Sequence, residues 1–159
     1  MLGMLHTGNL MDVVRDHGLL KDLDPGFVEK LAGMGLEAHF QPDQIVFREG
    51  DQTGMFYLIV SGSIALEMTT SGRAIRVQTL HEGDAMGWSA LLQGKGKNFQ
   101  ARATSHVRAL AFEAARVREA FELDPAFGYA MMKRMLLTVT DRLDATRVQL
   151  AEMYAKPPF

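Results

Sequence analysis

Apolar residues recur at helical spacing near the start of the chain, and Asp24-Pro25 divides them into two groups. An Asp followed by a Pro is typical of a helix N-cap and first turn. Gly33 and Gly35 each weaken a helix interior, so we expect the second helix to end near them. The pattern predicts two short helices within residues 1–36. Their apolar positions are Leu10, Val13, Val14, Leu19, Leu20, Leu23, Phe27, Val28, Leu31 and Met34.

From about residue 37 to residue 112 the pattern changes to short runs rich in Val, Ile, Phe, Thr and Tyr. Turn residues interrupt these runs at intervals of roughly ten residues, which is typical of antiparallel strands. The clearest pair is a hairpin around Thr70-Ser71-Gly72-Arg73, in which Ile64, Leu66 and Met68 alternate as one buried face. Many short strands in one domain favour a closed or rolled sheet, because closure removes exposed edges.

The C-terminal zone, residues 113–159, is predicted to be helical. A short helix comes first, and Asp124-Pro125 then starts a longer helix that runs to about Tyr154. In its first turns a wide apolar face includes Phe127, Met131 and Met135. We expect that face to pack on the β domain.

Beyond Leu137 the apolar face of the long helix narrows to a seam. Apolar positions there alternate steps of three and four residues, which is the spacing of a coiled coil and favours self-association. The types of residue in the seam do not decide between a dimer and a higher oligomer. The predicted association residues are Met132, Leu136, Val139, Leu143, Thr146 and Leu150, with Arg142, Asp144, Arg147 and Glu152 expected off the seam and in solvent.

The composition narrows the class of protein. The chain has 159 residues, 47% of them hydrophobic, which suits a single domain, residues 1–159, with one sizeable core. Its 17 Lys and Arg against 19 Asp and Glu leave no excess of positive charge for a nucleic-acid backbone. The first ten residues lack a leader pattern, and the longest apolar run, residues 55–60, is too short to span a membrane. We therefore expect a cytoplasmic protein that does not bind membranes.

No enzyme or metal pattern stands out in the sequence. Cys is absent, which excludes a thiolate nucleophile and thiolate metal ligands. Gly94-Lys95-Gly96-Lys97 lacks the glycine spacing and the terminal Ser or Thr of a P-loop. We expect a protein without metal, cofactor or catalytic activity. The five His, none at metal-ligand spacing, are His6, His17, His39, His81 and His106.

Four ordered segments resemble the cyclic-nucleotide-binding domain of catabolite-activator-type regulators, protein kinase A regulatory subunits and gated channels. The resemblance implies an α+β fold: a jelly-roll-like antiparallel β-roll of about eight strands, flanked by N-terminal helices and a long C-terminal helix. It also implies a homodimer formed through that helix. The segments are Phe47-x-Glu49-Gly50-Asp51, residues 55–64, Leu80-x-x-Gly83-Asp84-x-x-Gly87 and Ala101-Arg102-Ala103.

The resemblance places a ligand-binding cassette at residues 87 to about 100. In the family, a Glu after the cassette glycine accepts from the ribose 2'-hydroxyl, an Arg near the cassette's end pairs with the cyclic phosphate, and backbone amides complete the anion site. Here Trp88 stands at the Glu position and Lys97 at the Arg position, with Lys95 as a second cation. An indole only donates, and Lys lacks the bidentate fork of Arg. The predicted cassette residues are Gly87, Trp88, Ser89, Ala90, Lys97 and Asn98.

Trp88 has two interpretations. It stacks on a flat ligand, which is worth about 1–3 kcal/mol at stacking platforms, or it packs in the space that a ligand would fill, which is slightly favoured for a single Trp. For Lys95 and Lys97 the alternative to ligand binding is a solvated loop.

The sequence therefore predicts a regulatory ligand-sensing module that binds cAMP or cGMP weakly and signals through its C-terminal helices to a partner protein. The alternative is a degenerate module that binds no nucleotide and serves as an oligomerising scaffold. Catabolite-activator-type regulators carry a helix-turn-helix after the long helix, whereas only residues 155–159 follow it here. We expect no DNA binding by this chain alone, whether it stands alone or is a fragment of a longer regulator.

Overall fold

The computed structural model describes residues 2–3, 7–52, 54–92 and 96–157. In this part of the chain, helices α1 and α2 precede a β-roll, and helices α3 and α4 follow it. The helices are α1 (Thr7–Asp16), α2 (Pro25–Ala32), α3 (Ala114–Leu123) and α4 (Pro125–Ala155), with one 3₁₀ turn at Trp88–Leu91. The strands are β1 (Leu2–Gly3), β2 (Gly35–Phe40), β3 (Ile45–Phe47), β4 (Met55–Ser61), β5 (Ile64–Thr70), β6 (Arg73–Leu80), β7 (Ala85–Met86), β8 (Gln100–Ala103) and β9 (Val107–Glu113).

The strands form two antiparallel sheets that pack as a roll. One sheet has the order β1-β2-β9-β4-β7 and the other β3-β8-β5-β6. Within the described residues, β2 to β9 supply the eight strands of the roll and β1 adds a two-residue edge to β2. The predicted jelly-roll-like fold with a long C-terminal helix is confirmed.

Strand β4 shows how the first sheet serves two cores. Phe56 and Leu58 belong to the core that the sheet shares with the helices, whereas Ile59 lies in the core between the sheets. Alternate residues of a strand point to opposite faces, so one strand contributes to both cores. The helices therefore rest on the outer face of a sheet whose inner face fills the roll.

The predicted hairpin is formed by β5 and β6. Ser71 and Gly72 both have positive φ, 53° and 75°, as a tight two-residue turn requires. Ile64 and Leu66 are buried as predicted, but Met68 is 38% exposed. The buried face ends there because the register shifts between Leu66 and Glu67 and the tip of the hairpin extends past the core.

Arg102, in the Ala101-Arg102-Ala103 motif, forms an ion pair within the second sheet. Its Nη2 donates to Glu67 Oε2 at 2.7 Å and its Nε to Oε1 at 3.0 Å, and Glu67 is only 5% exposed. These bonds hold the pKa of the Glu67 carboxyl below its usual range. Both flanking alanines are fully buried. The motif therefore joins β8 to β5 and packs the roll.

The two Asp-Pro pairs begin helices as predicted. Asp24 Oδ1 accepts from the Gly26 amide at 2.8 Å, and Asp124 Oδ1 accepts from the Phe127 amide at 3.3 Å. Lys30 donates to the Asp124 carboxylate and so lowers its pKa. This contact ties α2 to the start of α4.

The apolar side chains of helix α4 are buried in its first turns and mostly exposed farther along. Phe127, Met131 and Met135 are at most 6% exposed and pack in the core, which confirms the prediction for the first turns. Most later apolar residues, such as Leu150, are about half exposed or more, whereas Val139 is half-buried. Among the helices of the described residues, none combines the length and apolar character needed to cross a lipid bilayer.

Candidate functional site

A cavity of about 270 Å³ lies where the cassette, the roll and α4 meet. The roll supplies mainly apolar walls, the cassette supplies a lysine and short polar groups, and α4 supplies one helical face. The lining residues are Phe47, Leu66, Gln78, Met86, Gly87, Trp88, Ser89, Lys97, Asn98, Phe99, Val139, Arg142, Leu143 and Thr146.

Gly87 sets the geometry of the cassette. Its φ is +73°, a left-handed conformation that favours glycine. A Cβ at this position would stand 3.1 Å from the Met55 carbonyl oxygen and 3.4 Å from Lys97 Nζ. A side chain would therefore crowd both the backbone and the lysine. The glycine lets the chain turn into Trp88–Leu91 beside the cavity.

Lys97 is the principal charge of the cassette. Although it is only 5% exposed, its Nζ lies at the cavity and donates to the Gly87 carbonyl oxygen at 2.8 Å and to Ser89 Oγ at 3.2 Å. Nζ also lies 5.3 Å from the centre of the Phe47 ring. Burial lowers the pKa of Lys97, and no carboxylate of the described residues lies within salt-bridge distance of it. The ammonium is thus held by neutral groups.

The turn at Glu49-Gly50-Asp51 fixes the backbone of Lys97. The Gly50 amide donates to the Lys97 carbonyl oxygen at 2.7 Å, and the Lys97 amide donates to the Asp51 carbonyl oxygen at 2.9 Å. This pair of hydrogen bonds gives the second half of the Phe47-to-Asp51 motif a structural role. It sets the direction from which the lysine enters the cavity.

Trp88 forms a wall between the cavity and the helices. It is half-buried and packs against the core that the helices share with the first sheet. Together with Val139 it also lines a second, almost wholly apolar depression of about 350 Å³, which continues along Met132 and Leu136. The indole therefore packs as a core residue does and leaves the 270 Å³ cavity open beside it.

Helix α4 closes the cavity with the residues at positions 139, 142, 143 and 146, which share one helical face. The prediction that Arg142 is solvated is wrong. Its guanidinium is half-buried, and Nη2 donates to the Ala85 carbonyl oxygen at 2.5 Å. Burial lowers the pKa of Arg142, against the opposing effect of Asp84. The seam pattern treated α4 as an isolated helix and could not show which side meets β7.

The structure brings most of the predicted cassette residues together. Gly87, Trp88, Ser89, Lys97 and Asn98 all line the cavity, whereas Ala90 packs in the core and does not. Lys95 lies outside the described residues.

The predicted association residues divide into three groups. Val139, Leu143 and Thr146 line the cavity, Met132 and Leu136 line the apolar depression together with Val139, and Leu150 lines neither. Sequence reasoning missed part of the lining, although Phe47 stood in a quoted motif. The missed residues are Phe47, Leu66, Gln78, Met86, Phe99 and Arg142.

The charge of the lining is one-sided. Among the described residues around the cavity, Lys97 and Arg142 are cations, and no Asp or Glu is present. Most other lining groups are apolar or aromatic. Such a site favours an organic anion with a flat or apolar body.

Comparison with known proteins places the cavity in a family context. The sequence model of the family described as the cyclic nucleotide-binding domain matches residues 37–124, more than half of the chain. The matched segment includes the cassette and the strands from β3 to β9. No curated protein matches the sequence.

Similar solved structures share the fold. A cyclic nucleotide-binding domain from Methylobacillus flagellatus is 14% identical over 96% of this chain and 86% of that chain, with a TM-score of 0.79. The N-terminal domain of a Streptomyces coelicolor transcriptional regulator is 21% identical over 84% of this chain and 94% of that chain, with a TM-score of 0.68. Catabolite activator protein from Thermus thermophilus is 20% identical over 86% of this chain and 63% of that chain, with a TM-score of 0.69.

Proposed function

The chain belongs to the cyclic nucleotide-binding domain family, and from that membership we propose that it is a regulatory, non-catalytic module that binds cAMP or cGMP and signals through its C-terminal helices. The ligand occupies the cavity between the cassette and α4. Its phosphate lies at Lys97, and its sugar and base lie along the apolar walls.

The observation that carries this proposal is the environment of Lys97. Its ammonium is buried at the cavity among neutral partners, and burying a charge without an opposite charge is costly. A cyclic phosphate supplies the missing negative charge. Ser89 Oγ accepts from Lys97, which leaves its own hydroxyl hydrogen free to donate to a phosphate oxygen.

The affinity is expected to be weaker than is usual for this fold. Trp88 replaces the carboxylate that accepts from the ribose 2'-hydroxyl in the family, and the described lining contains no other carboxylate. An unpaired hydroxyl costs on the order of 1–3 kcal/mol. Gln78 and Asn98 offer amide oxygens in the lining, so the ribose is not left wholly without acceptors.

Signalling follows from the α4 residues that close the cavity. Three α4 side chains, Val139, Leu143 and Thr146, would contact a ligand that also contacts the cassette. A ligand that touches both binds the docked helix more tightly than an undocked one, so it shifts the population toward docking. A partner protein that recognises one of these arrangements would read the signal.

Calorimetric titration with cAMP and cGMP tests the proposal. We expect wild-type protein to bind at least one of them with a Kd above about 1 µM, and Lys97→Met to lose that binding. Lys133→Met, which removes an exposed lysine of α4 that does not line the cavity, serves as the matched control. Wild-type protein that binds neither nucleotide at millimolar concentration, or equal binding by Lys97→Met, would overturn the proposal.

The exposed leucines of the α4 seam support a second candidate function, an oligomerising scaffold that binds no nucleotide. Leu136, Leu143 and Leu150 are 66%, 47% and 51% exposed, and a second copy would cover them. Assembly without any nucleotide binding would favour this candidate. A homodimer formed through α4 is compatible with both candidates, and a cytoplasmic location stays a prediction from the sequence.

A further inference from the structure

We propose that Lys97 is a reversible covalent site, at which its side-chain amine forms an imine with an aldehyde carried on a flat, apolar body. The inference goes beyond the proposed function, because it does not require that a nucleotide binds. It rests on where Nζ lies, on the hydrogen bonds that Nζ donates and on the walls of the cavity.

The Nζ atom of Lys97 is surrounded by groups that line the 270 Å³ cavity. It lies 2.8 Å from the Gly87 carbonyl oxygen, 3.2 Å from Ser89 Oγ and 5.3 Å from the centre of the Phe47 ring. All three of these residues belong to the lining, although Lys97 as a whole is only 5% exposed. A small molecule held in the cavity therefore lies beside the nitrogen.

The hydrogen bonds of Nζ suit a neutral amine. An ammonium has three N–H groups to donate, whereas a neutral amine has two, together with one lone pair. Within the described part of the chain, Nζ donates to two oxygen atoms, those of Gly87 and Ser89. Both N–H groups of the amine are thus satisfied, and its lone pair is left for an electrophile.

The surroundings of Lys97 also favour its neutral form. Burial lowers the pKa of Lys97, and it forms no salt bridge with a carboxylate of residues 2–3, 7–52, 54–92 or 96–157. The Phe47 ring attracts a cation, but less strongly than a carboxylate would. A bound phosphate would favour the ammonium instead, so nucleotide binding and imine formation at Lys97 exclude each other.

Imine formation is an addition followed by the loss of water. The Nζ lone pair attacks the carbonyl carbon of the aldehyde, and one N–H proton moves to the carbonyl oxygen. The new hydroxyl group then leaves with the second N–H proton as water, and a C=N bond replaces the C=O bond. The Ser89 hydroxyl keeps its own hydrogen while its oxygen accepts from Lys97, so it donates to the carbonyl oxygen during the addition.

The walls of the cavity indicate the body of the aldehyde. Phe47, Trp88 and Phe99 supply aromatic side chains, and Leu66 and Met86 are apolar. Aromatic side chains pack favourably on another ring. Apolar walls also exclude water, which would otherwise hydrolyse the imine. An aromatic aldehyde therefore suits the cavity better than a small hydrophilic one.

Reductive trapping tests the inference. Wild-type protein is incubated near neutral pH with benzaldehyde and sodium cyanoborohydride, which reduces an imine to a stable secondary amine, and peptide mass spectrometry measures the label on each lysine. Lys97 should be labelled at least about fivefold faster than Lys133, an exposed lysine that does not line the cavity, because more of Lys97 is the nucleophilic amine. Acetaldehyde, which lacks a flat body, should show a smaller preference for Lys97.

Two variants sharpen the test. Lys97→Arg keeps a cation but forms no imine, so its label should be lost at position 97 while Lys133 is labelled as before. Ser89→Ala removes the hydroxyl group beside Nζ and should slow the labelling of Lys97 by at least about threefold, with Lys133 unchanged.

The outcomes separate this inference from the proposed function. Equal labelling of Lys97 and Lys133 by benzaldehyde would overturn the imine site, and this comparison on wild-type protein needs no variant. An equal preference with acetaldehyde would overturn the class of aldehyde. If saturating cAMP or cGMP slows the labelling of Lys97 alone, both proposals are supported. If Lys97 is labelled selectively and neither nucleotide binds, only the proposed function fails.

Discussion

Arg118 Nη1 donates to the carbonyl oxygen of Ala90 at 2.6 Å. The bond connects α3 directly to the 3₁₀ turn that starts at Trp88, so a change at the cavity wall has a short path to the C-terminal helices. Ala90 itself contributes nothing to the cavity lining but anchors this connection through its backbone. Arg118 is thus a positioning residue for the cassette.

Removing this connection should uncouple α3 from the ligand. Hydrogen exchange in α3 is expected to slow when nucleotide binds to wild-type protein, and Arg118→Gln should lose at least about half of that protection. Arg116→Gln, two residues earlier and exposed, is the control and should keep it. Equal protection in Arg118→Gln would show that the signal does not pass through this bond.

Lys97 is expected to oppose folding while it supports binding. Lys97→Met replaces a buried ammonium with an apolar side chain, and the Gly87 carbonyl oxygen keeps its bond from the Ala90 amide at 3.0 Å. The free energy of unfolding should stay unchanged or rise by up to about 1 kcal/mol. Denaturant titration measures it, and a loss of more than about 1 kcal/mol would mean that the lysine stabilises the cassette.

Restoring the family residues should strengthen nucleotide binding. In Trp88→Glu with Lys97→Arg, the carboxylate accepts from the ribose and the guanidinium pairs with the phosphate at two points. Calorimetry should show affinity at least about tenfold tighter, or 1.4 kcal/mol. The melting temperature should fall by a few degrees, because the half-buried indole packs against the core. Trp88→Gln with Lys97→Arg is the uncharged control. A folded double variant without tighter binding would count against the assigned positions.

Assembly should depend on the exposed end of α4. Leu150 is 51% exposed and does not line the cavity, so Leu150→Asp places a charge in the seam without touching the ligand site. Light scattering should give wild-type protein twice the chain mass of 17.6 kDa and the variant about the monomer mass. Ala151→Asp adds the same charge at a neighbouring exposed position off the seam and should leave the dimer intact. A monomeric wild type would refute the dimer.

His17 should make stability depend on pH. Its Nδ1 accepts from the Leu19 amide at 3.2 Å, so in the neutral ring Nε2 carries the proton and donates to the Ile59 carbonyl oxygen at 3.0 Å. Burial lowers the pKa of His17 and outweighs the opposing effects of the hydrogen bond to Ile59 and of the charges of Asp84 and Glu82. The folded state therefore binds this proton less readily than the unfolded state.

The stabilising contribution of neutral His17 is complete above about pH 6.5 and is lost as the pH falls below it, by on the order of 1 kcal/mol per pH unit. Melting temperatures at pH 7.5 and 5.5 test this expectation. His17→Gln should flatten the dependence, and His81→Gln, an exposed histidine, should not. An unchanged slope in His17→Gln would assign the pH dependence to other groups.

The parts of the fold that could be predicted are those with a local cause. The β5–β6 turn follows from Ser71-Gly72, and the start of α4 follows from an Asp-Pro cap, because each depends on a few adjacent residues. The exposure of Met68 could not be predicted, because it depends on where the roll ends. The half-buried position of Arg142 could not be predicted either, because it depends on the docking of α4 beside β7. The partner atom there, the Ala85 carbonyl oxygen, is 57 residues away in the chain. The spacing of apolar residues within α4 alone does not predict a contact with a distant strand.

Val139, Leu143 and Thr146 belong both to the predicted seam and to the cavity lining. A second copy and a nucleotide would thus meet the same side chains, so the two equilibria are linked by mass action. The apparent dissociation constant of the nucleotide would then vary with total protein concentration. Dilution alone would change the response, so the amount of protein in the cell would itself set the sensitivity of the sensor.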